Sequence, residues 1–269
     1  MLLAGNIANA KISFGFFDEQ NGELGVKFQI AADLHKTSDE YKCTICSLMR
    51  EFGLGTDDIS AIILSSVVPQ LTAVINTALS KMTGLSPMMV GPGLKTGFSI
   101  KIDSPSELGG DMVANTAAVL ASFHQEGRAA IIADLGTVTT ISAITRFREY
   151  VGCCIIPGIG ISFDGLHGRT AQLPNVMQTV PSRYIGRNSQ ESVCSGVLYG
   201  HAMMIDGFVT RFSRELKCSS DDICLVMTGE YSESIAKLCG HSFKVEPDLT
   251  LKGLFVLYRN STRTPESVR

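Results

Sequence analysis

The sequence predicts an α/β protein built from two related halves, and three observations carry that reading. LLAGNIANAKISFGFFD near the start and AIIADLGTVTTISAI further on follow one plan: an apolar run, a small polar turn, a second apolar run. Overlaid without gaps, Asn6 meets Asp134, Ile7 meets Leu135, Ala8 meets Gly136 and Asn9 meets Thr137. Each copy then continues into a ribbon, KISFGFFD through EQNGEL to GVKFQIAA in the first and TTISAIT through Arg148-Glu149 to YVGCCIIPG in the second. Helical patterns fill the remainder. A strand, a polar turn and an antiparallel ribbon that occur twice point to two related domains facing each other.

The elements follow in order. Ser38, with Asp39 and Glu40 placed well against the helix dipole, caps a helix running to Phe52. DDISAIILSSVVP reads as a short helical start leading into a buried strand, Ala61 to Ser65. PQLTAVINTALSKMTG opens with proline in the first turn and stops at Gly84, which marks a helix. MMVGPGLKTG is a strand and a glycine-rich loop, and the alanine-rich run Met112 to Phe123 is a buried helix linking the halves. SQESVCSGVLYGHAMMIDGFVTRFSREL is one long helix or a broken pair. DICLVMTGEYSESIAKLCG is strand, turn and helix; DLTLKGLFVLYRN closes the fold, and STRTPESVR is a polar tail. The expected division is a first domain over 1–112, a second over 113–259 and a tail over 260–269, with a tight hinge near 112.

Composition narrows the function. At 269 residues, 45% hydrophobic and 18% charged, the chain is that of a globular protein with room for a sizeable core. A net charge of −3 with scattered Lys and Arg offers no nucleic-acid footprint. No apolar run is long enough to span a bilayer, and no signal peptide is evident, so the expectation is a cytoplasmic protein with no membrane partner. The eight cysteines read as reduced core residues. Cys43 and Cys46 form a CxxC inside a helical run rather than at a helix start, so neither redox chemistry nor zinc is supported. The five histidines form no metal pattern.

Three stretches can carry chemistry. In ADLGTVTT a buried strand delivers Asp134 to a glycine turn whose N–H groups can approach an anion, with Thr137, Thr139 and Thr140 as hydroxyl donors. That combination suits nucleotide phosphates and a cation, although a hairpin turn with an Asx-type bond has the same residues. In PSELGGDMVANT, Asp111 stands at a helix start, where it can act as general base with Gly109 and Gly110 admitting the substrate, or simply as an N-cap. PGIG at 157–160 lies between strand and helix, where ligands meet backbone amides and where structure alone also calls for glycine.

Taken together, SSVVP (65–69), GPGLKTG (91–97), ELGGD (107–111), ADLGTVTT (133–140), PGIGIS (157–162), IGRNS (185–189), SGVLYG (195–200), TG (228–229) and DLTLKGL (248–254) resemble the type III pantothenate kinases. That family belongs to the acetate kinase, sugar kinase, Hsp70 and actin superfamily. The resemblance implies two RNase H-like (actin-like ATPase) domains with the active site in the cleft between them, and a homodimer. It implies ATP-dependent phosphorylation of pantothenate to 4'-phosphopantothenate, the first step of coenzyme A biosynthesis, with Mg2+ and a monovalent cation, K+ or NH4+. On this pattern Asp111 is the base, with Gly109 and Gly110 beside the substrate, and Ser189 touches pantothenate. Asp134 lies at the monovalent-cation site, and Thr137 contacts ATP together with the first loop, Asn6, Ala8, Asn9 and Lys11.

The first loop departs from the family pattern Asp-x-Gly-Asn-Thr-Asn, reading Asn6-Ile7-Ala8-Asn9-Ala10-Lys11 here. An amide replaces an acid that would organise hydrated Mg2+, Ala8 adds a Cβ beside the phosphate, and Ala10 removes a hydroxyl. Met112 stands where the family has arginine, Ile102 where a tyrosine is frequent, and Glu230 where a glycine is usual. Three readings stay open: a kinase in which Lys11 offsets the lost charge, a non-catalytic relative that binds nucleotide or regulates, and a kinase or phosphatase with another substrate.

Overall fold

A computed structural model of the chain describes residues 1–123, 127–219 and 222–262. These fall into two compact units. The first holds Met1–Ser99, Asp103–Ala121 and the chain from Leu249 onward; the second holds Ile100–Ile102 and Ser122–Asp248.

The first unit is a five-stranded sheet of order β3-β2-β1-β4-β5, formed by β1 (Leu2–Ile7), β2 (Lys11–Phe17), β3 (Leu24–Ala31), β4 (Ala61–Ser66) and β5 (Met88–Met89). β1 is central, antiparallel to β2 and parallel to β4. It is buried on both faces, as its near-continuous apolar sequence requires, whereas edge strand β3 alternates between half-buried and exposed. Helices α1 (Ser38–Glu51) and α2 (Pro69–Thr83) cover one face, packing Tyr41, Ile45, Leu71 and Ile75 against Leu3 and Ile7. Helices α3 (Gly110–Ser122) and α8 (Leu249–Thr262) meet Leu2, Ala4 and Ile63 on the other.

The N-cap of α1 is Thr37 rather than Ser38. Its hydroxyl accepts the Glu40 N–H while Glu40 accepts the Thr37 N–H at 2.7 Å, so the pair forms a reciprocal capping box that Ser38 cannot make. The α2 boundaries match expectation, with Pro69 in its first turn and Gly84 left-handed at its end.

The second unit repeats the plan. Its sheet, of order β11-β10-β7-β8-β9-β6, comprises β6 (Ser99–Ile100), β7 (Ala129–Leu135), β8 (Val138–Ile144), β9 (Glu149–Pro157), β10 (Ile223–Gly229) and β11 (Lys244–Val245). Strands β9-β8-β7-β10-β11 correspond one for one to β3-β2-β1-β4-β5. One face packs on α4 (Ile159–Arg169), α5 (Ser189–Cys194), α6 (Gly200–Glu215) and α7 (Ser232–Ala236). The long helical stretch from 189 is a single run in which a π turn, Ser195–Tyr199, joins α5 to α6.

Two expectations change. Helix α3 and the closing helix α8 both belong to the first unit, because Val113, Ala114 and Ala117 of one and Leu251, Leu254 and Leu257 of the other share one apolar core on its sheet. The chain therefore leaves the first unit after α3 rather than near residue 112, and returns for α8. The cysteines are all unpaired, yet only Cys194 and Cys224 are buried; Cys43 and Cys153 are exposed, so they are not chiefly core residues. The tail expected to fray lies largely outside the described residues, and among the described residues no helix is long and apolar enough to cross a membrane.

Candidate functional site: two hydroxyl-flanked strand ends

In the first unit, the C-terminal ends of the parallel strands β1 and β4 lie side by side, with Asn6 paired to Ser65. Strand alternation puts Asn6 on the same face as Leu2, Ala4 and Ile63, the face that α3 covers. Ligands of parallel sheets bind beyond such strand ends. The Ser65 hydroxyl, fully buried, donates to Asn6 Oδ1 at 2.6 Å. A Cβ on Gly110 would come within 3.1 Å of Ser65 Cβ, so the start of α3 rests directly on that residue. The first loop and the Gly109–Asp111 turn are thereby brought together through Ser65. Ala8 and Asn9 lie in the turn and Lys11 opens β2, with Ala8 N–H donating to Lys11 O at 3.1 Å to close the turn.

Asp111 sits in the first turn of α3, where the Met112 N–H donates to its Oδ1 at 2.8 Å. Burial pushes its carboxyl above the usual 3.8, against the opposing pull of that hydrogen bond. A carboxylate so placed is capped by its own helix yet short of water, which suits a base that takes a proton from a substrate hydroxyl.

The second unit offers the equivalent strand end. Asp134 pairs with Thr140 of β8 and with Thr228 of β10, as Asn6 pairs with Ser13 of β2 and Ser65 of β4. Both copies thus flank one polar residue with two hydroxyls. The turns differ in length: Ala8–Ala10 separates β1 from β2, but only Gly136–Thr137 separates β7 from β8. The gap-free overlay therefore holds along β1 and β7 and is off by one residue from the turn onward, through β2 and β8. Thr137 is exposed, as a ligand donor must be. Thr139 is not available: fully buried, it shares the core-facing side of β8 with Ile141, and its hydroxyl has no partner among the described residues.

The glycines around this turn divide by cause. A Cβ on Gly158 would stand 2.6 Å from Gly136 O and 2.8 Å from Thr137 C, with Thr137 O nearer still, so the start of α4 is pressed against the turn's carbonyl side. A Cβ on Gly136 would meet nothing closer than 3.6 Å. The protein's own packing does not require glycine there, and the space is what an anion held by backbone N–H groups needs. Ser189, exposed, starts α5 beside its N-cap Asn188, which accepts the Glu191 N–H at 2.8 Å.

The fit to cations differs between the copies. No cluster of three or more His, Cys, Asp or Glu able to hold a metal occurs among the described residues. Hydrated Mg2+ needs only one or two carboxylates besides phosphate oxygens, and Asp134 can serve a cation. Asn6 is neutral and its oxygen is already engaged by Ser65, so the first loop does not fit a metal-organising role. Ser65 and Thr228 entered the sequence reading only as parts of the SSVVP and TG motifs, with no site role. The available signal was a hydroxyl ending a buried apolar run, IILSS and LVMTG, at corresponding places in the two halves.

Comparison with known proteins identifies the family. Residues 2–211 match the family model described as type III pantothenate kinase. A type III pantothenate kinase of Moorella thermoacetica is 37% identical over 262 residues, covering 97% of this chain and 100% of that protein. Among solved structures, a putative 2-dehydro-3-deoxygalactonokinase from Sinorhizobium meliloti has a TM-score of 0.60 at 11% identity, covering 100% of this chain and 99% of that one. A conserved putative Baf family transcriptional activator from Campylobacter jejuni gives 0.57 at 16%, covering 96% and 97%. At such identities these two establish the two-unit α/β fold alone. The duplicated strand ends, the acid at the start of α3 and the match along nearly the whole chain lead to one assignment: the chain belongs to the type III pantothenate kinase family.

Proposed function

We propose that the protein transfers the γ-phosphoryl group of ATP to the hydroxyl of pantothenate, giving 4'-phosphopantothenate. The observation that carries this is Asp111, part-buried at the start of α3 and joined through Gly110 and Ser65 to the strand ends that bear the first loop. Family membership supplies the substrates.

Asp111 accepts the proton of the attacking hydroxyl, and Gly109 and Gly110 leave room for the substrate beside it. Ser189 contacts pantothenate, and the exposed Thr137 with the N–H groups of its turn holds nucleotide phosphate. Mg2+ arriving with the nucleotide would supply charge neutralisation of the phosphates, and Asp134 would hold a monovalent cation, K+ or NH4+. The protein works as a homodimer in the cytoplasm. Met112 brings no charge to a substrate carboxylate, so carboxylate recognition falls to other groups.

The test is ADP release in a coupled assay with pantothenate, Mg2+ and K+, comparing the wild type with Asp111→Asn. Turnover that drops at least about a hundredfold in the variant, with ATP binding kept, supports the assignment. Equal rates in the two proteins, or pantothenate-independent ADP release, would overturn it.

A further inference from the structure

At the first loop, we infer that Asn6 meets the nucleotide as a hydrogen-bond donor, its Nδ2 contacting a phosphate oxygen directly, with no metal ion between them. The inference rests on the ATP-binding reading above and deepens it.

An amide has two unlike ends: the oxygen accepts and the nitrogen donates two hydrogens. In the structure it is the oxygen end that faces Ser65, whose hydroxyl donates to Asn6 Oδ1 at 2.6 Å. Ser65 is fully buried on β4, in register with Asn6 and with the start of α3 resting on its Cβ, so it has little freedom to release that oxygen. The other fork of the amide, Nδ2, is left for whatever lies beyond the strand end. Asn6 itself is only part-buried, so that fork can be reached from outside. The segment that follows, from Ile7 at the end of β1 to the exposed Lys11 that opens β2, contains no acid, which makes its formal charge positive. Both features suit an anion and neither suits a cation.

The contrast with the second copy sharpens the point. Asp134 has the same hydroxyl-flanked position and a negative charge, so it favours a cation. The two strand ends thus differ in charge, and the first suits phosphate oxygen without a cation. Had Asn6 been an aspartate, Ser65 would still donate to one oxygen. The other oxygen would then face phosphate with like charge unless a cation separated them.

The exchange Asn6→Asp tests this with almost no change of shape. ATP affinity is measured by titration calorimetry in EDTA and in Mg2+, for the wild type, Asn6→Asp and Asn6→Ala. The wild type is expected to bind in both buffers. Asn6→Asp should weaken binding about tenfold or more in EDTA and recover in Mg2+, so that its ratio of dissociation constants widens about tenfold over that of the wild type. Because each ratio is taken within one protein, partial loss of folded material cancels. Asn6→Ala removes the donor without adding charge, and should weaken binding by a similar factor in both buffers. An unchanged ratio in Asn6→Asp, or wild-type affinity in Asn6→Ala, overturns the inference while leaving ATP binding intact. A wild type that binds no ATP in either buffer instead removes the nucleotide reading on which the inference stands.

Discussion

Replacing Gly158 with alanine isolates the backing of the second turn from every other feature of the site. The backbone there has φ −69° and ψ 168°, which alanine adopts freely, so the substitution acts through its added carbon alone. That carbon would lie 2.6 Å from Gly136 O and nearer still to Thr137 O, against an ordinary separation of about 3.5 Å, so the turn must retreat by at least roughly 0.9 Å. Overpacking of this kind costs about 1–3 kcal/mol, which in a chain of this size lowers the melting temperature by about 2–10 °C. The larger effect falls on the ligand. A displacement near 1 Å breaks a hydrogen bond from the turn to a charged phosphate, worth about 1.5–3 kcal/mol, so ATP affinity should fall by about ten- to a hundredfold. Gly160→Ala is the matched control, two residues further along α4, where an added Cβ meets nothing within 4 Å. Calorimetric ATP titration and thermal melts of both variants decide the matter. If Gly158→Ala binds ATP as tightly as Gly160→Ala, the second turn is not held by α4 in the way described.

Other outcomes follow from the same geometry. The Asp111 carboxyl is raised above 3.8 by burial, so the base is lost as pH falls through that raised value, and kcat/KM should decline there; Asp111→Asn should lack this limb of the profile. The folded state also holds that proton more tightly than the unfolded chain, so ionisation costs stability as pH rises from 3.8 through the raised value. At pH 7 Asp111→Asn should therefore melt no lower than the wild type, and a drop of several degrees would contradict the buried-acid description. Gly253→Ala would drive a Cβ within 2.9 Å of Ala114 Cα, and nearer to Ala114 O, at the crossing of α8 on α3; urea unfolding should show a loss of about 1–3 kcal/mol or more. Thr37→Ala removes the capping box of α1 and should cost about 1 kcal/mol in the same assay without altering ATP affinity.

Much of the fold was legible because it rests on local signals. The duplicated strand–turn–ribbon, the proline start and glycine stop of α2 and the position of Asp111 at a helix start all follow from short-range chemistry and all occur. The boundary was not legible: helices α3 and α8 carry ordinary apolar faces, and nothing in their sequences says which sheet those faces will cover. The threonines of the second turn show the same limit from the other side. Read as a cluster of donors, Thr137 and Thr139 separate because Thr137 stays in the exposed turn while Thr139, inside β8, is carried into the core.

By itself the sequence determined the repeated plan, the polar residue at each strand end and the glycines beside Asp111, because backbone propensity and apolar periodicity act over a few residues. Only the tertiary structure decided that Ser65 is hydrogen-bonded to Asn6, that Thr228 stands beside Asp134 and that Gly158 braces the second turn. Those relations join residues 21 to 94 positions apart. They arise from strand pairing and helix packing, in which each partner is chosen by the whole sheet rather than by its neighbours in the chain.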